Sequence, residues 1–254
     1  MKLPFTLDDG TAGKAALGLL VLAADEVIEA EFRTVFGQKG IGLFTSRIQS
    51  APEITPETLH AMAATLPEAV RVLPSAYPLD VVGYACTSGA TVIGAERIAD
   101  IVKGIHPTAK VTDPITATMA ALRQLGARRI GLVTPYVAEV SAAMITLLED
   151  SGFEVVAFGS FEQKEDGTVA RISPQAVLEA ACAIGVADGV EAVFVSCTNL
   201  RAFEVIPEAE ARLGKPVISS NLALAWHMAA LAGLLEVATG PGWLFTLSGG
   251  PPAA

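Results

Sequence analysis

The chain repeats itself. The stretch "DVVGYACTS" (80–88) lies over "EAVFVSCTN" (191–199) with residues of like type at nearly every place, and Cys86 falls on Cys197 at an offset of 111. Before them, "GLLVLAADEV" (18–27) lies over "GLVTPYVAEV" (131–140) at an offset of 113. After them, "VTDPITATMAAL" from Val111 lies over "VISSNLALAWHMAAL" from Val217 at an offset of 106. Three segments in one order at a nearly constant offset mark a tandem duplication. Whatever unit the first half builds, the second half builds again.

The unit itself is legible. Eight short apolar runs read as buried strands: "AALGLLVLAA", "GIGLF", "LDVVGYAC", "AKVTD", "RRIGLVTP", "FEVVAFGS", "VEAVFVSC" and "KPVISS". Amphipathic stretches such as "PETLHAMAATLPEAVRVL", "ITATMAALRQLG", "VSAAMITLLEDSG" and "PEAEARLG" separate them and read as helices. Apolar strands alternating with helices predict parallel sheets covered on both faces, an α/β fold. The expectation is two flavodoxin-like parallel-sheet units related by a pseudo-two-fold axis. Residues 1–115 plus 220–254 would form the unit of Cys86, with the last helix returning to it, and 116–219 the unit of Cys197. The final stretch "GPGWLFTLSGGPPAA" is expected to begin packed and end disordered.

Composition narrows the partners. The formal net charge is −10 with no block of Lys or Arg, which argues against nucleic acid or an anionic membrane as partner. No apolar run reaches the roughly 20 residues that span a bilayer, and "MKLPFTLDDG" lacks the apolar core of a secretory signal. A cytoplasmic protein is expected. Three cysteines then read as free thiols. The histidines His60, His106 and His227 are widely spread and no zinc-ligand spacing occurs, so no metal is expected. Neither a G-x-G-x-x-G nor a Walker A loop is present, and no G-x-S-x-G elbow supports a serine triad. No cofactor is expected. A mean hydropathy of +0.50 suggests a homo-oligomer joined through apolar helices, the Trp226 stretch among them, although two buried sheets account for the same excess.

The chemistry rests on the paired thiols. Each sits just past a strand's C-terminal end, where open parallel sheets bind ligands. Each is followed by small hydroxyl or amide residues: Thr87, Ser88 and Gly89 after Cys86, Thr198 and Asn199 after Cys197. If helices begin there, their N–H groups would cradle a carboxylate and lower the thiol pKa. A lone cysteine beside a strand is usually packing, and Cys182 in "VLEAACAIGV", with no counterpart in the other half, is read that way. Two at equivalent places are read as functional. Facing thiols suit nearly symmetric chemistry: removal of a proton beside a carboxylate with return of one from the other side, or addition to a double bond, rotation and expulsion.

The chain resembles the aspartate/glutamate racemase superfamily, in the branch of maleate cis–trans isomerases, arylmalonate decarboxylases and ectoine-utilization racemase-like proteins. The resemblance covers nearly the whole chain and is most specific in "GYACTSGATVIG", "RRIGLVTPYVAEV" and "VSCTNLRAFEVIPEAEARLGKPVISSNLALAWHMA". It implies Cys86 as nucleophile or first acid/base, Cys197 as the opposing proton donor or base, and Tyr136 as a hydrogen-bond donor to substrate. Arylmalonate decarboxylases keep only the second cysteine, so two make simple decarboxylation less expected. The implied protein is a cofactor-independent isomerase or racemase acting on a small carboxylate or amino-dicarboxylate. The alternatives are a carboxylate-binding module, or a lyase or hydrolase of an ectoine-derived amino acid.

Two places depart from the maleate isomerase pattern. Asp25 stands where that branch has an asparagine, and an ionised aspartate 4 Å from a carboxylate would be repelled by about 4 kcal/mol at an effective dielectric of 20. Asp25 fits a substrate ammonium or a base beside Cys86; as a purely structural residue it would cap the helix "EVIEAEFR". In "KEDGTVARISP" that branch has an asparagine shortly before the arginine, where this chain has Asp166 and Gly167. That loop is expected near the site, or else is a plain tight turn.

Overall fold

A computed structural model describes residues 1–75 and 78–247. The last seven residues of the expected disordered tail lie outside the described residues. The eight apolar runs all form strands: β1 (Ala15–Leu22), β2 (Ile41–Ile48), β3 (Val81–Ala85), β4 (Lys110–Thr112), β5 (Arg129–Thr134), β6 (Glu154–Ser160), β7 (Ala192–Val195) and β8 (Val217–Ser219). They make two four-stranded parallel sheets, ordered β2-β1-β3-β4 and β6-β5-β7-β8. Every strand of the first sheet has its repeat partner at the same place in the second.

The described residues add ten α-helices: α1 (Ile28–Phe36), α2 (Pro56–Arg71), α3 (Thr87–Ile93), α4 (Ala95–Lys103), α5 (Pro114–Gln124), α6 (Ala138–Asp150), α7 (Asp166–Val169), α8 (Pro174–Gly185), α9 (Ile206–Leu213) and α10 (Ser220–Leu231). Their starts are written in the sequence. Thr55, Asp113 and Ser173 each cap a helix whose first residue is proline, a residue that has no N–H to leave unsatisfied. β1, buried along its whole length, and the fully buried β3 and β7 explain the unbroken apolar runs.

The repeat-related helices α5 and α10 pack on one another, and α10 also packs on β3, β4 and α1. The expected unit boundary at 115/116 falls in the first turn of α5. Trp226 is buried inside the chain, so its own ring offers no surface to a second copy, while His227, Ala230 and Leu231 at the end of α10 are half-buried. His227 donates to or accepts from the Thr112 hydroxyl at 2.7 Å, and burial lowers its pKa to about 4, a structural role. Cys182 is half-buried on α8, packed at the edge of the core. Among the described residues no helix is long and apolar enough to cross a membrane.

Candidate active site

In the order 2-1-3-4 the chain reverses direction across the sheet between the first and third strands, and a crevice opens at their C-terminal ends. Each sheet brings two loops to that crevice. The first sheet supplies the turn after β1, with Asp25, and the start of α3, with Cys86. The second supplies the turn after β5, with Tyr136, and the loop after β7, with Cys197. Cys86, Thr87, Ser88, Tyr136, Asp166, Cys197 and Thr198 all line one cavity between the sheets.

A lid covers it. The loops after β2 and β6, equivalent in the repeat, meet through an antiparallel bridge between Glu53 and Glu165. The Ile54 N–H donates to the Lys164 carbonyl at 2.8 Å and the Asp166 N–H to the Pro52 carbonyl at 3.2 Å. The space these residues leave for water is about 20 Å³, room for about one molecule. That volume is too small for a four-carbon dicarboxylate.

The two thiols are held differently. Cys86 caps α3, its sulfur accepting from the Gly89 N–H at 3.2 Å and lying 3.6 Å from the Ser88 hydroxyl. Gly89 is glycine for want of room: a Cβ there would lie 3.0 Å from the Cys86 sulfur and the Met62 methyl, and closer still to the Tyr84 hydroxyl. No helix follows Cys197. Residues 198–200 form a turn and α9 starts only at Ile206, which corrects the expectation of two equivalent helix N-termini. Cys197 has φ of +112°, a conformation that costs side-chain-bearing residues about 1–3 kcal/mol and needs support from its surroundings. Its sulfur accepts from the Asn199 N–H at 3.4 Å, and the nearby Tyr136 hydroxyl pulls its pKa down.

Neither thiol is activated in this arrangement, against expectation. Burial pushes Cys86 up to about 12, outweighing the Gly89 N–H and Ser88 hydroxyl that pull it down. Burial raises Cys197 well above the ordinary thiol range too, and the charge of Asp166 adds to it. The physical reason is that hydrogen bonds from one helix end do not offset the loss of water when no cation is near. Among the described residues no Lys, Arg or His lines the cavity.

The expected acids are both buried. Asp166 is not a plain turn residue: its side chain faces the cavity, and its Oδ1 accepts from Asn199 Nδ2 at 3.2 Å. Asp25 is not among the residues that line the cavity, but its charge acts on both thiols. Its Oδ1 accepts from the Val27 and Ile28 N–H groups at 2.8 and 2.9 Å, which starts α1, while Oδ2 lacks a hydrogen bond of ordinary geometry. Burial raises its pKa to about 6. Asn199 also stands back from the cavity. Its side chain ties the Ala24 carbonyl, the Glu26 N–H and Asp166 together.

Sequence reasoning missed three residues. Ser220 accepts from the Cys197 N–H at 2.9 Å and from the Thr87 hydroxyl at 2.7 Å. Glu31 and Asn221 hold the far part of the Cys197 loop. For Ser220 and Asn221 a signal existed in "VISSNL", polar residues opening an otherwise apolar helix. Glu31 looked like any solvent-facing helical glutamate.

The comparisons agree with this architecture. The family model for arylmalonate decarboxylase matches residues 17–245. Maleate isomerase of Pseudomonas putida is 27% identical over 211 residues, 80% of this chain and 84% of that protein. Arylmalonate decarboxylase of Bordetella bronchiseptica is 31% identical over 119 residues, 46% of this chain and 50% of that one. A Nocardia farcinica maleate cis–trans isomerase, a cysteine-to-serine mutant with a covalently bound succinylcysteine intermediate, superposes with a TM-score of 0.83. It is 25% identical, over 91% of this chain and 98% of that one. The ectoine-utilization reading finds no support among these relatives. The chain belongs to the arylmalonate decarboxylase/maleate isomerase family of the Asp/Glu racemase superfamily.

Proposed function

We propose that this chain is a cofactor-independent isomerase or racemase that works a small carboxylate between Cys86 and Cys197. The observation that carries the reading is that both cysteines, one from each sheet, line a single cavity that also holds Tyr136. Opening the lid returns water to the thiols and removes the largest cause of their raised pKa, so the base forms in the open cleft. After closure, one thiolate takes the proton from the carbon beside the carboxylate. The electron pair delocalises into the carboxylate, and the opposing thiol, held neutral by burial, protonates the other face. The alternative route is thiolate addition to a double bond, rotation and expulsion, and it uses the same two groups. The covalent succinylcysteine in the Nocardia farcinica relative favours that route for maleate in that protein.

A second reading concerns the substrate's charge. Asp166 lines the cavity, the buried Asp25 acts electrostatically on both thiols, and among the described residues no basic side chain lines it. A dianion would meet buried negative charge without a counterion, whereas an amino group on the substrate would supply one. This favours an amino-dicarboxylate or amino acid over maleate.

The test is incubation in deuterated water with maleate and with aspartate, followed by NMR, for the parent and for Cys86→Ser and Cys197→Ser. Deuterium at the α-carbon of aspartate supports a racemase, and conversion of maleate to fumarate supports a maleate isomerase. Net loss of carbon dioxide or ammonia would make it a lyase. Substrate affinity retained without turnover would make it a binding module. Full turnover in either cysteine variant would overturn the proposal.

A further inference from the structure

The loop that carries Cys197 follows the second sheet, yet most of its side-chain-mediated hydrogen bonds run to the first half and to α10. The Cys197 N–H goes to Ser220, the Asn199 side chain receives the Glu26 N–H, and the Ala202 and Phe203 N–H groups both donate to Glu31 Oε1, at 3.2 and 3.0 Å. Glu31 Oε2 accepts from Asn221 Nδ2 at 2.7 Å, and that same nitrogen donates to the Thr198 carbonyl at 2.8 Å. One carboxylate on α1 therefore grips both ends of the stretch 198–203, directly at 202–203 and through Asn221 at the residue after Cys197.

We propose that Glu31 is a positioning residue for Cys197, holding that thiol's backbone in its positive-φ conformation. This rests on the reading that Cys197 acts in the reaction. A conformation of this kind persists only where the surroundings over-determine it, and Glu31 answers three donors that would otherwise be buried without a partner, although burial raises its own pKa to about 7. Asn221 is oriented by the same contact. Turning its amide over would set Oδ1 against two acceptor oxygens, those of Glu31 and Thr198. Cys86 has no comparable dependence, because it caps its own helix through Gly89. Loss of the Glu31 grip therefore disturbs one thiol and spares the other, which a general loss of stability would not do.

The experiment reads each cysteine separately. Parent, Glu31→Gln and Asn221→Leu are treated with iodoacetamide, and the alkylation rates of the Cys86 and Cys197 peptides are followed by mass spectrometry. In Glu31→Gln the amide oxygen still accepts from Ala202 and Phe203, but its NH2 meets Asn221 donor to donor, so the arm to Thr198 is released. The Cys197 rate is expected to change by about tenfold with that of Cys86 within about twofold, a size in keeping with small displacements of a reacting group. Asn221→Leu removes the same arm without touching Glu31 and is expected to reproduce the pattern. Equal changes at both cysteines, or none at either, would overturn the inference, as would a Cys197-selective change in only one of the two variants. Turnover retained in Cys197→Ser would instead defeat the functional reading and leave the alkylation result standing, so the two failures are separable.

Discussion

Ser220 accepts the backbone N–H of Cys197 at 2.9 Å, and the same oxygen takes the hydroxyl hydrogen of Thr87, the neighbour of Cys86, at 2.7 Å. One buried hydroxyl on α10 thus joins the two cysteine segments. It sits where the repeat-related elements converge, and it satisfies a donor on the strained residue.

Ser220→Ala is expected to cost about 1–3 kcal/mol of stability, the range for leaving a buried donor unsatisfied. Activity should fall further than stability alone explains, because Cys197 loses a support of its positive φ. Urea denaturation beside kcat/KM at saturating folded fraction checks both. A variant with unchanged denaturation midpoint and unchanged kcat/KM would show the bridge to be idle.

Asp25→Asn is expected to stabilise the protein in alkaline solution. Burial raises the Asp25 pKa from 3.8 to about 6, so between those values the folded chain binds a proton that the unfolded chain does not. Stability then rises as pH falls from above 6 toward 3.8, and at pH 8 the buried carboxylate costs up to about 3 kcal/mol. Asparagine keeps the acceptor used by the Val27 and Ile28 N–H groups and drops the charge. The gain in urea midpoint should be largest at pH 8 and shrink toward pH 5. A gain that does not vary with pH would mean that charge burial is not its origin.

How much of this was legible follows from what kind of signal each feature leaves. The repeat located both cysteines, both sheets and all eight strands, because buried parallel strands are continuous apolar runs and duplication doubles the signal. Asp166 was found only as a departure from a resemblance, since a turn acid and a cavity acid share the motif "EDGT". The raised thiol pKa values were not legible. They depend on a lid formed by loops more than a hundred residues apart, and local helix-end reasoning sees the N–H groups but not the missing water. Glu31 was hidden for the same reason: its partners are 171, 172 and 190 residues away.

Asp166→Asn tests what the lid brings into the cavity. The acid sits on the loop that covers the cavity, beside the Glu53–Glu165 bridge, and its charge is the second-largest cause of the raised Cys197 pKa after burial. For Cys86 it ranks behind burial and two hydrogen bonds. Asparagine retains an oxygen for the Asn199 amide, so the lid should close as before. Removing the charge lowers the Cys197 pKa, and iodoacetamide at pH 8 should then alkylate Cys197 faster, with a smaller effect at Cys86. It also removes a repulsion worth up to about 4 kcal/mol for a substrate carboxylate 4 Å away at an effective dielectric of 20. Maleate should therefore protect the thiols at about tenfold or more lower concentration in the variant than in the parent, while protection by aspartate weakens. If maleate protects both proteins equally, the lid acid faces no substrate carboxylate, and the charge-based choice of an amino-bearing substrate fails with it.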